Sequence, residues 1–311
     1  MSVIIITKSP KINLFSIQTY KCFLKKDRGP QGVTSSIIRG FKKLNVEYLL
    51  NPKEKKITAG DTIWVNESIE ALKWALEFKN KSEKNKNIKL VVGPNLVVIP
   101  DEHNGIIYND AIDVIFQPSE WTRDFYLKYN PKLESKIKIW PAGVMDPYEK
   151  AKMPVKQGYL ILYQKNAPET LFKEIAKKLD FENINYYLIR YGSFNQKNYF
   201  SLLEKAKGMI CLSTSESQGL AIQEAWIRNV PTLVWDRGYW EKGAVRFEAS
   251  KISCPYLTDE AGMIFHGEYD FAEKLSYFMA QIKHFNARDY SLRNLTDKVT
   301  TRKFLAIIRH I

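Results

Sequence analysis

Residues 207–236 read KGMICLSTSESQGLAIQEAWIRNVPTLVWD, and this stretch decides the fold prediction. Gly208–Leu212 is a short apolar run that is typical of a buried strand. A small polar loop follows at Ser213–Gln218, and the segment Gly219–Arg228 then has the spacing of a helix. Pro231–Trp235 is a second apolar run. Strand, helix and strand in this order predict a right-handed βαβ unit of a parallel sheet.

The same alternation continues on both sides of this stretch. Short apolar runs in the first half predict strands, and amphipathic segments between them predict helices. Strands are predicted there at Val3–Thr7, Asp61–Asn66, Ile88–Val92 and Asp113–Phe116, and helices at Ser35–Leu44, Glu67–Phe78 and Ser119–Tyr129. The second half adds strands at Gly158–Tyr163 and Ile184–Tyr191 and helices at Pro168–Leu179 and Tyr199–Lys207.

Length and a break in the pattern predict two domains. The chain has 311 residues, about twice a typical domain of roughly 150. Prolines and a glycine interrupt the periodicity at Pro141–Pro154. We predict Rossmann-like domains at residues 1–147 and 148–290, with a C-terminal helix at residues 291–311 that can return to the first domain. The expected class is α/β, two doubly wound parallel-sheet domains facing a central cleft where ligands bind.

Composition narrows the possible partners and location. With 47 basic and 34 acidic residues the net charge is +13, which attracts nucleic acid, anionic lipid or phosphorylated ligands, unless lysine simply solvates the surface. No apolar run approaches the ~18 residues that span a bilayer. The opening run is too short for a signal peptide, and Cys22, Cys211 and Cys254 show no metal or redox spacing. We therefore expect a cytoplasmic protein, peripheral at a membrane if its basic surface binds lipid.

The loop before the predicted helix carries the chemistry of the stretch. A helix start presents unpaired N–H groups that suit an anion such as a diphosphate, and Gly219 removes the side chain that would block its approach. Glu216 lies just before the helix, where its carboxylate can accept hydrogen bonds from sugar hydroxyls. Glu224 lies later, where it can reach a ribose diol. Judged on spacing alone, a helix cap at Glu216 and an ordinary surface charge at Glu224 are equally good interpretations.

The pattern S-E-S-x-G-L-x-x-x-E-A at residues 215–225, followed by Pro231, resembles the signature of the retaining GT-B glycosyltransferases known as group 1 or family 4. The resemblance implies that Glu216 contacts the donor sugar and Glu224 the nucleotide ribose. It also implies that the backbone at Gly219 and Leu220 approaches the diphosphate and the sugar. Ser217 and Gln218 complete the donor-binding loop on the same basis.

Three further segments resemble parts of this family more loosely. Lys165 falls where the family carries a basic residue for the leaving diphosphate, although Tyr163-Gln164 replaces the usual arginine partner. Trp140–Val144 is similar to the Gly-Val turn that closes the N-terminal domain. Arg28–Val33 resembles the glycine-rich loop before the first helix, which makes Gly32 a candidate for the N-terminal side of the cleft.

Two other residues of the first half are candidates because of their position. Asn95 follows the third predicted strand through Gly93-Pro94, and His103 stands in the polar loop after it. Both would lie at the carboxyl end of a parallel sheet. His103 can hydrogen-bond the donor sugar or orient the acceptor hydroxyl, and an ordinary surface histidine is the alternative.

The resemblance implies a hexosyl- or related glycosyltransferase that moves a sugar from a nucleotide-diphosphate sugar to a hydroxyl of a glycan or lipid-linked acceptor, with retention. Negative charge grows on the leaving diphosphate, so Lys165 and the helix start would stabilise the transition state. The sequence contains no D-x-D triad, and we expect no metal and no cofactor besides the donor substrate.

Two alternatives remain open. A nucleotide-sugar epimerase or hydrolase of the same fold would need a further acid–base group, and no second carboxylate or histidine cluster indicates one. A basic protein that binds nucleic acid or a membrane surface would account for the charge. No zinc, RNA-binding or helix-turn-helix signature is present, so we expect no specific nucleic-acid partner.

Overall fold

The computed structural model describes residues 2–8, 29–156 and 158–311. The chain divides into two compact units. Unit 1 contains Met1–Gly143 and Asp297–Ile311, and unit 2 contains Val144–Thr296. Each unit is organised around one parallel sheet. Among the described residues, no helix is long and apolar enough to cross a membrane.

Unit 1 contains a six-stranded sheet in the order β2-β1-β3-β4-β5-β6. All of its strand pairs are parallel. The strands are β1 Val3–Ile6, β2 Tyr48–Leu50, β3 Thr62–Val65, β4 Lys89–Val92, β5 Val114–Gln117 and β6 Ile137–Ile139. Strands β1, β3 and β5 are buried along their whole length, as expected for a parallel sheet covered on both faces.

The helices of unit 1 connect these strands and include the end of the chain. The longer ones are α1 Gly29–Leu44, α2 Ile69–Asn80, α3 Glu120–Tyr129 and, from the C-terminal segment, α9 Asp297–Arg309, and single helical turns lie at Glu83–Lys86 and Glu102–Gly105. Helix α9 packs closely on α1, where a Cβ on Gly40 would lie 1.8 Å from Thr301 Oγ1. The buried Asp297 carboxylate also accepts hydrogen bonds of 2.7 and 3.0 Å from Arg39.

Unit 2 contains a five-stranded parallel sheet in the order β13-β10-β9-β7-β8 and a separate hairpin of β11 and β12. The strands are β7 Leu160–Gln164, β8 Tyr186–Arg190, β9 Gly208–Leu212, β10 Thr232–Trp235, β11 Tyr239–Lys242, β12 Val245–Glu248 and β13 Gly262–Phe265. The helices are α4 Glu169–Phe181, α5 Gln196–Lys205, α6 Leu220–Trp226, α7 Glu268–Gln281 and α8 Ala287–Asn294. Strands β7 and β9 are fully buried at the centre of the sheet.

In each sheet the second strand pairs with one side of the first strand, and the third strand pairs with its other side. In unit 1 the chain passes from β1 to β2 on one side and later returns to pair β3 with the other side of β1. In unit 2, β7 pairs with β8 on one side and with β9 on the other. Such a topological switch point leaves a crevice at the carboxyl ends of the two flanking strands, which is where α/β proteins bind ligands.

The strands predicted in both halves agree with the structure to within two residues, and two predicted segments are wrong in detail. The glycine-rich loop at Arg28–Val33 is not a loop where the structure describes it, because Gly29–Val33 belong to α1. Pro30 is compatible with the first helical turn, since an N–H there needs no partner. Gly32 therefore lies within a helix, and Arg28 lies outside the described residues.

The predicted C-terminal helix at residues 291–311 is two helices in the structure. Helix α8 ends at Asn294, and α9 begins at Asp297. The Val144 N–H donates to the Leu295 carbonyl at 2.8 Å, and Val144 also pairs with Thr296. These backbone bonds replace the helical hydrogen bonds at the break. The amphipathic sequence pattern is therefore continuous across residues 291–311, although the helix is interrupted there.

Candidate functional site

The switch point of unit 2 is occupied by an ion pair between two of the predicted site residues. Lys165 directly follows β7, and its backbone N–H donates to the Leu212 carbonyl at the end of β9. The Lys165 Nζ lies 2.9 Å from both Glu216 Oε1 and Glu216 Oε2. The side chains are 25% and 12% exposed. A partly shielded cation and carboxylate thus meet at the place where the topology predicts a ligand.

Hydrogen bonds from two other segments hold the loop that carries Glu216. The Thr214 N–H donates to Asn166 Oδ1 at 2.8 Å, and the Ser253 hydroxyl donates to the Ser213 carbonyl at 2.8 Å. The Glu216 N–H donates to the Ile252 carbonyl at 2.9 Å. Because the loop backbone is tied to its neighbours, the carboxylate is positioned before any ligand arrives.

Gly219 is needed for its backbone conformation rather than for space. Its φ is +84°, a left-handed value that glycine adopts without strain. The atoms nearest to a Cβ there would lie at ordinary van der Waals distances, 3.6 Å or more. Helix α6, which begins at Leu220, has 7 residues and is shorter than the predicted Gly219–Arg228. The helix start is therefore a weaker feature than the sequence predicted, and a diphosphate contact there stays a prediction.

Glu224 lies on α6, and both Glu224 and Glu216 interact electrostatically with the phenol of Tyr163. Burial raises the pKa of Tyr163 far above its ordinary value, and the carboxylates of Glu216 and Glu224 raise it further. The Gln196 amide donates to Glu224 Oε1 at 3.3 Å, and the Arg228 guanidinium donates to the Glu224 carbonyl at 3.1 Å. Both signature carboxylates thus belong to one neighbourhood, with separate hydrogen-bond partners.

The remaining predicted loop residues differ in accessibility. Ser217 is exposed, so its hydroxyl is open to a ligand. Gln218 is 5% exposed, and its amide donates to Gln223 Oε1 at 2.9 Å. Its side chain holds the loop against α6, and its contact with the donor stays a prediction.

Sequence reasoning missed Arg237. This residue comes two positions after β10, at the same sheet edge as the Glu216 loop. Its Nε donates to the carbonyls of Thr214 at 3.3 Å and Tyr239 at 3.0 Å, and its Nη1 donates to Glu241 at 2.7 Å. The side chain is 13% exposed. The sequence signal for Arg237 was a basic residue just past a predicted strand. The strand order was also needed, because it places β10 beside β9 and so brings Arg237 to the Glu216 loop.

The three candidates in unit 1 lie on three different segments, and their place in a ligand site stays a prediction. Asn95 follows β4, and its Nδ2 donates to Asn66 Oδ1 at 3.1 Å. His103 is exposed on a short helical turn, Glu102–Gly105, where its φ is +55°. Gly32 lies in α1. Among the described residues, no hydrogen bond or ion pair joins His103 or Gly32 to Asn95.

The described residues offer neither a metal site nor a reactive thiol. In the part of the chain that the structure describes, no group of three or more His, Cys, Asp or Glu side chains could hold a metal ion. Cys211 and Cys254 are free and buried, and burial raises the pKa of both thiols well above the ordinary value. A buried thiol of this kind is a poor nucleophile. Cys22 lies outside the described residues.

Comparison with known proteins identifies the fold. No family model and no curated protein matches the chain. The lipopolysaccharide outer core galactosyltransferase WaaB, in its apo form, is similar over 100% of both chains with a TM-score of 0.60 and 13% identity. The pneumococcal O-GlcNAc transferase GtfA, in complex with UDP and GlcNAc, matches 82% of this chain with a TM-score of 0.56 and 12% identity.

A third structure, a mutant of S. aureus TarM in complex with fondaparinux, alpha-GlcNAc-glycerol and UDP, matches 88% of this chain with a TM-score of 0.52 and 13% identity. The chain spans 58% of the length of GtfA and of TarM. At these identities the likeness shows the fold alone. The two parallel-sheet α/β units are those of the GT-B glycosyltransferase structures, and the predicted fold class is confirmed.

Proposed function

We propose that the protein is a glycosyltransferase that transfers a sugar from a nucleotide-diphosphate sugar to a hydroxyl acceptor. The observation that carries this proposal is the Lys165–Glu216 pair at the switch point of unit 2. The GT-B fold supports it, as does the presence of UDP in the GtfA and TarM structures. The signature at residues 215–225 assigns its two carboxylates to the donor.

The proposed roles follow from charge and hydrogen-bonding capacity. Transfer breaks the bond between the anomeric carbon and the diphosphate, and the electron pair leaves with the diphosphate. The acceptor oxygen forms the new bond to the anomeric carbon, and its proton passes to the released diphosphate. The Lys165 ammonium has three donors, of which Glu216 occupies two, so it can also contact a phosphate oxygen. Its charge then stabilises the leaving group most when the bond is breaking. The Glu216 carboxylate can accept hydrogen bonds from the sugar hydroxyls.

Arg237 completes this proposal as a second cation. The family pattern has an arginine shortly before Lys165, where this chain has Tyr163-Gln164. Arg237 contacts the Thr214 carbonyl and therefore borders the same loop from the β10 side. Its guanidinium can donate to two phosphate oxygens at once. We infer that the basic partner comes from a different strand in this chain.

The finer parts of the proposal rest on the resemblance and the sequence. We propose retention at the anomeric carbon on the resemblance alone, and a metal-free reaction because the sequence lacks a D-x-D triad and offers Lys165 and Arg237 instead. The acceptor would be a glycan or a lipid-linked glycan. A cytoplasmic protein with a net charge of +13 could meet a lipid-linked acceptor at an anionic membrane surface.

A thermal-shift screen tests the donor proposal directly. UDP-, GDP-, ADP- and CDP-sugars are each added to the whole protein, with and without EDTA. A ligand that binds only the native state raises the melting temperature, by an amount that grows with its concentration relative to Kd. We expect one nucleotide class to raise it, equally in EDTA. If none of these nucleotide sugars binds, the donor proposal is wrong.

The fate of the bound donor distinguishes transfer from the related reactions. We expect the donor to be consumed slowly alone and faster when a suitable acceptor is added, with the sugar recovered on the acceptor. Consumption at an unchanged rate, with free sugar as the product, would identify a hydrolase. Conversion to a second nucleotide sugar would identify an epimerase.

A further inference from the structure

Unit 1 has a carboxylate at its own switch point. Glu67 follows β3 by two positions, as Glu216 follows β9 in unit 2 by four. Strand β3 pairs directly with β1. Thr34, whose hydroxyl donates to Glu67 Oε1 at 3.0 Å, lies in α1, the helix that connects β1 to β2. The Thr34–Glu67 pair thus stands at the carboxyl edge where unit 1 is expected to bind a ligand.

A network of amide and hydroxyl groups holds Glu67 from one side. The Asn66 side chain is 1% exposed, and its Nδ2 donates to the Pro30 carbonyl at 3.0 Å and to Thr34 Oγ1 at 3.2 Å. The Asn95 Nδ2 donates to Asn66 Oδ1 at 3.1 Å, and the Asn95 N–H donates to the Asn66 carbonyl at 3.1 Å. The chain Asn95–Asn66–Thr34–Glu67 is therefore ordered from β4 to α1.

The Glu67 carboxylate retains an open oxygen. Within the described residues, Thr34 is its hydrogen-bond donor, at Oε1, and Oε2 is bonded to none of them while remaining in reach of solvent. The side chain is partly buried. Burial raises the pKa of Glu67, and the Thr34 hydroxyl lowers it in part. This carboxylate has lost water on one side without gaining a cation from the described part of the chain.

We propose that Glu67 is a specificity-determining residue for the acceptor, and that its Oε2 binds a hydroxyl group of a neutral sugar. The inference rests on the proposed function, because only a transferase needs an acceptor site. A carboxylate is an acceptor-only group, so its partner must carry a donor such as a hydroxyl. A phosphorylated group in the same place would be repelled by this negative charge, which no residue of the described ranges 2–8, 29–156 and 158–311 compensates.

Binding measurements on the whole protein test this assignment. The probes are the methyl α-glycosides of glucose, galactose and N-acetylglucosamine, each beside the 6-phosphate of the same sugar, with UDP as the donor-side control. Affinity is followed by ligand-observed NMR titration. We expect at least one neutral glycoside to bind, and its phosphorylated form to bind at least about tenfold more weakly.

The variant Glu67→Gln keeps the shape of the side chain and an oxygen for Thr34. We expect it to weaken binding of the neutral glycoside about tenfold or more, the scale of one hydrogen bond to a charged group. UDP binding should not change. Glu70→Gln is the matched control, because Glu70 is exposed in the first turn of α2 and three positions away. It should bind every probe as the wild type does.

Thr34 supplies a second test if Glu67→Gln does not fold. Thr34→Val removes the hydroxyl that orients the carboxylate and should weaken glycoside binding, whereas Thr34→Ser should restore it. Equal glycoside affinity in the wild type and the Glu67 or Thr34→Val variants overturns the inference. So does tighter binding of the phosphorylated sugars, or no glycoside binding by a protein that binds UDP. If the wild type bound no nucleotide at all, that result would instead contradict the proposed function.

Discussion

The two switch points of this molecule have the same topology and different electrostatics. In unit 2, a lysine ammonium lies 2.9 Å from both oxygens of Glu216. In unit 1, the corresponding carboxylate, Glu67, is bonded by a neutral hydroxyl and backed by two asparagines. The first arrangement can take an anionic ligand because it holds a cation. The second suits a neutral ligand that donates hydrogen bonds.

This difference shows how one architecture serves two ligand classes. The backbone supplies a crevice at the carboxyl end of each sheet, and the residues just after the strands decide which charge is stable there. Replacing a charged side chain with a neutral one at either switch point should therefore change which ligand binds there without changing the fold. The following predictions test the comparison, beginning with the largest expected effect.

Lys165→Ala removes the cation from unit 2. We expect turnover with the identified donor to fall about 100-fold or more, because the developing charge on the leaving diphosphate loses its partner. Steady-state kinetics with a near-ultraviolet circular dichroism check for folding measure the effect. The matched control is Lys177→Ala, an exposed lysine on α4, which should keep wild-type turnover. A Lys165→Ala enzyme with normal turnover would remove the basis of the proposed function.

Glu216→Gln keeps the volume of the side chain but removes the charge that pairs with Lys165 and that we propose contacts the donor sugar. We expect turnover to fall about 30-fold or more, since hydrogen bonds to a charged acceptor are the stronger kind. Glu174→Gln on the exposed face of α4 is the control. Wild-type turnover of Glu216→Gln would show that the carboxylate is only a partner of Lys165 and not part of the donor site.

Arg237→Ala tests whether unit 2 uses a second cation. We expect UDP, or the nucleotide diphosphate that the screen identifies, to bind about tenfold more weakly, because a charged hydrogen bond to phosphate is lost. The uncharged nucleoside should bind with unchanged affinity, which isothermal titration can establish. Arg246→Ala is the control, because Arg246 lies on β12 and its guanidinium stands over the same Tyr239 ring as that of Arg237. Equal losses for nucleoside and diphosphate would contradict a phosphate contact.

Glu224→Gln should mainly weaken donor binding, by about fivefold, as expected for one hydrogen bond to a ribose hydroxyl. The decisive measurement compares a nucleotide with its 2′-deoxy and 3′-deoxy analogues. The wild type should prefer the intact ribose, and the variant should lose that preference. Undiminished discrimination in Glu224→Gln would assign the ribose to another residue.

The smallest expected effect concerns stability at the unit 1 switch point. Burial raises the pKa of Glu67 above the ordinary value of 4.5, so the folded state binds this proton more tightly than the unfolded state. The resulting contribution to the free energy of unfolding is complete below the unfolded pKa and is lost as pH rises through the folded pKa. Glu67→Gln does not titrate and avoids this loss.

Urea unfolding of the wild type and Glu67→Gln between about pH 4 and about pH 8 measures the difference. The stability of the variant relative to the wild type should increase as pH rises across this range. Glu70→Gln should show no such trend. A difference that does not depend on pH would mean that Glu67 is solvated like a surface carboxylate, which would weaken the contrast between the two units.

The sequence predicted the strands that precede the site residues, but it did not predict which site residues contact each other. The strands before Lys165 and Glu216 were recognisable because short apolar runs between polar loops are a local signal. The ion pair joins residues 51 positions apart, and the Thr34–Glu67 hydrogen bond joins residues 33 apart. Such contacts depend on which strands become neighbours, and a single sequence contains no direct record of that order.

The same limit explains the corrected predictions. Arg28–Val33 contains two glycines and a proline, which locally favour a loop, yet the residues from Gly29 onward form a helix that packs on α9. The amphipathic pattern at residues 291–311 is continuous, yet the backbone leaves the helix where Val144 takes the Leu295 carbonyl. In both places, contacts between distant segments outweigh local preference.

The sequence by itself determined that the chain forms two α/β units, that Lys165 and Glu216 follow strands, and that Glu224 lies within the next helix. Periodicity and turn chemistry act over a few residues, so they can be read along the chain. Only the tertiary structure decided that Lys165 pairs with Glu216, that Arg237 borders their loop, and that Glu67 rests on Thr34 without a cation in the described residues. Strand order brings these groups together, and their charges, once close, determine which ligand each switch point can hold.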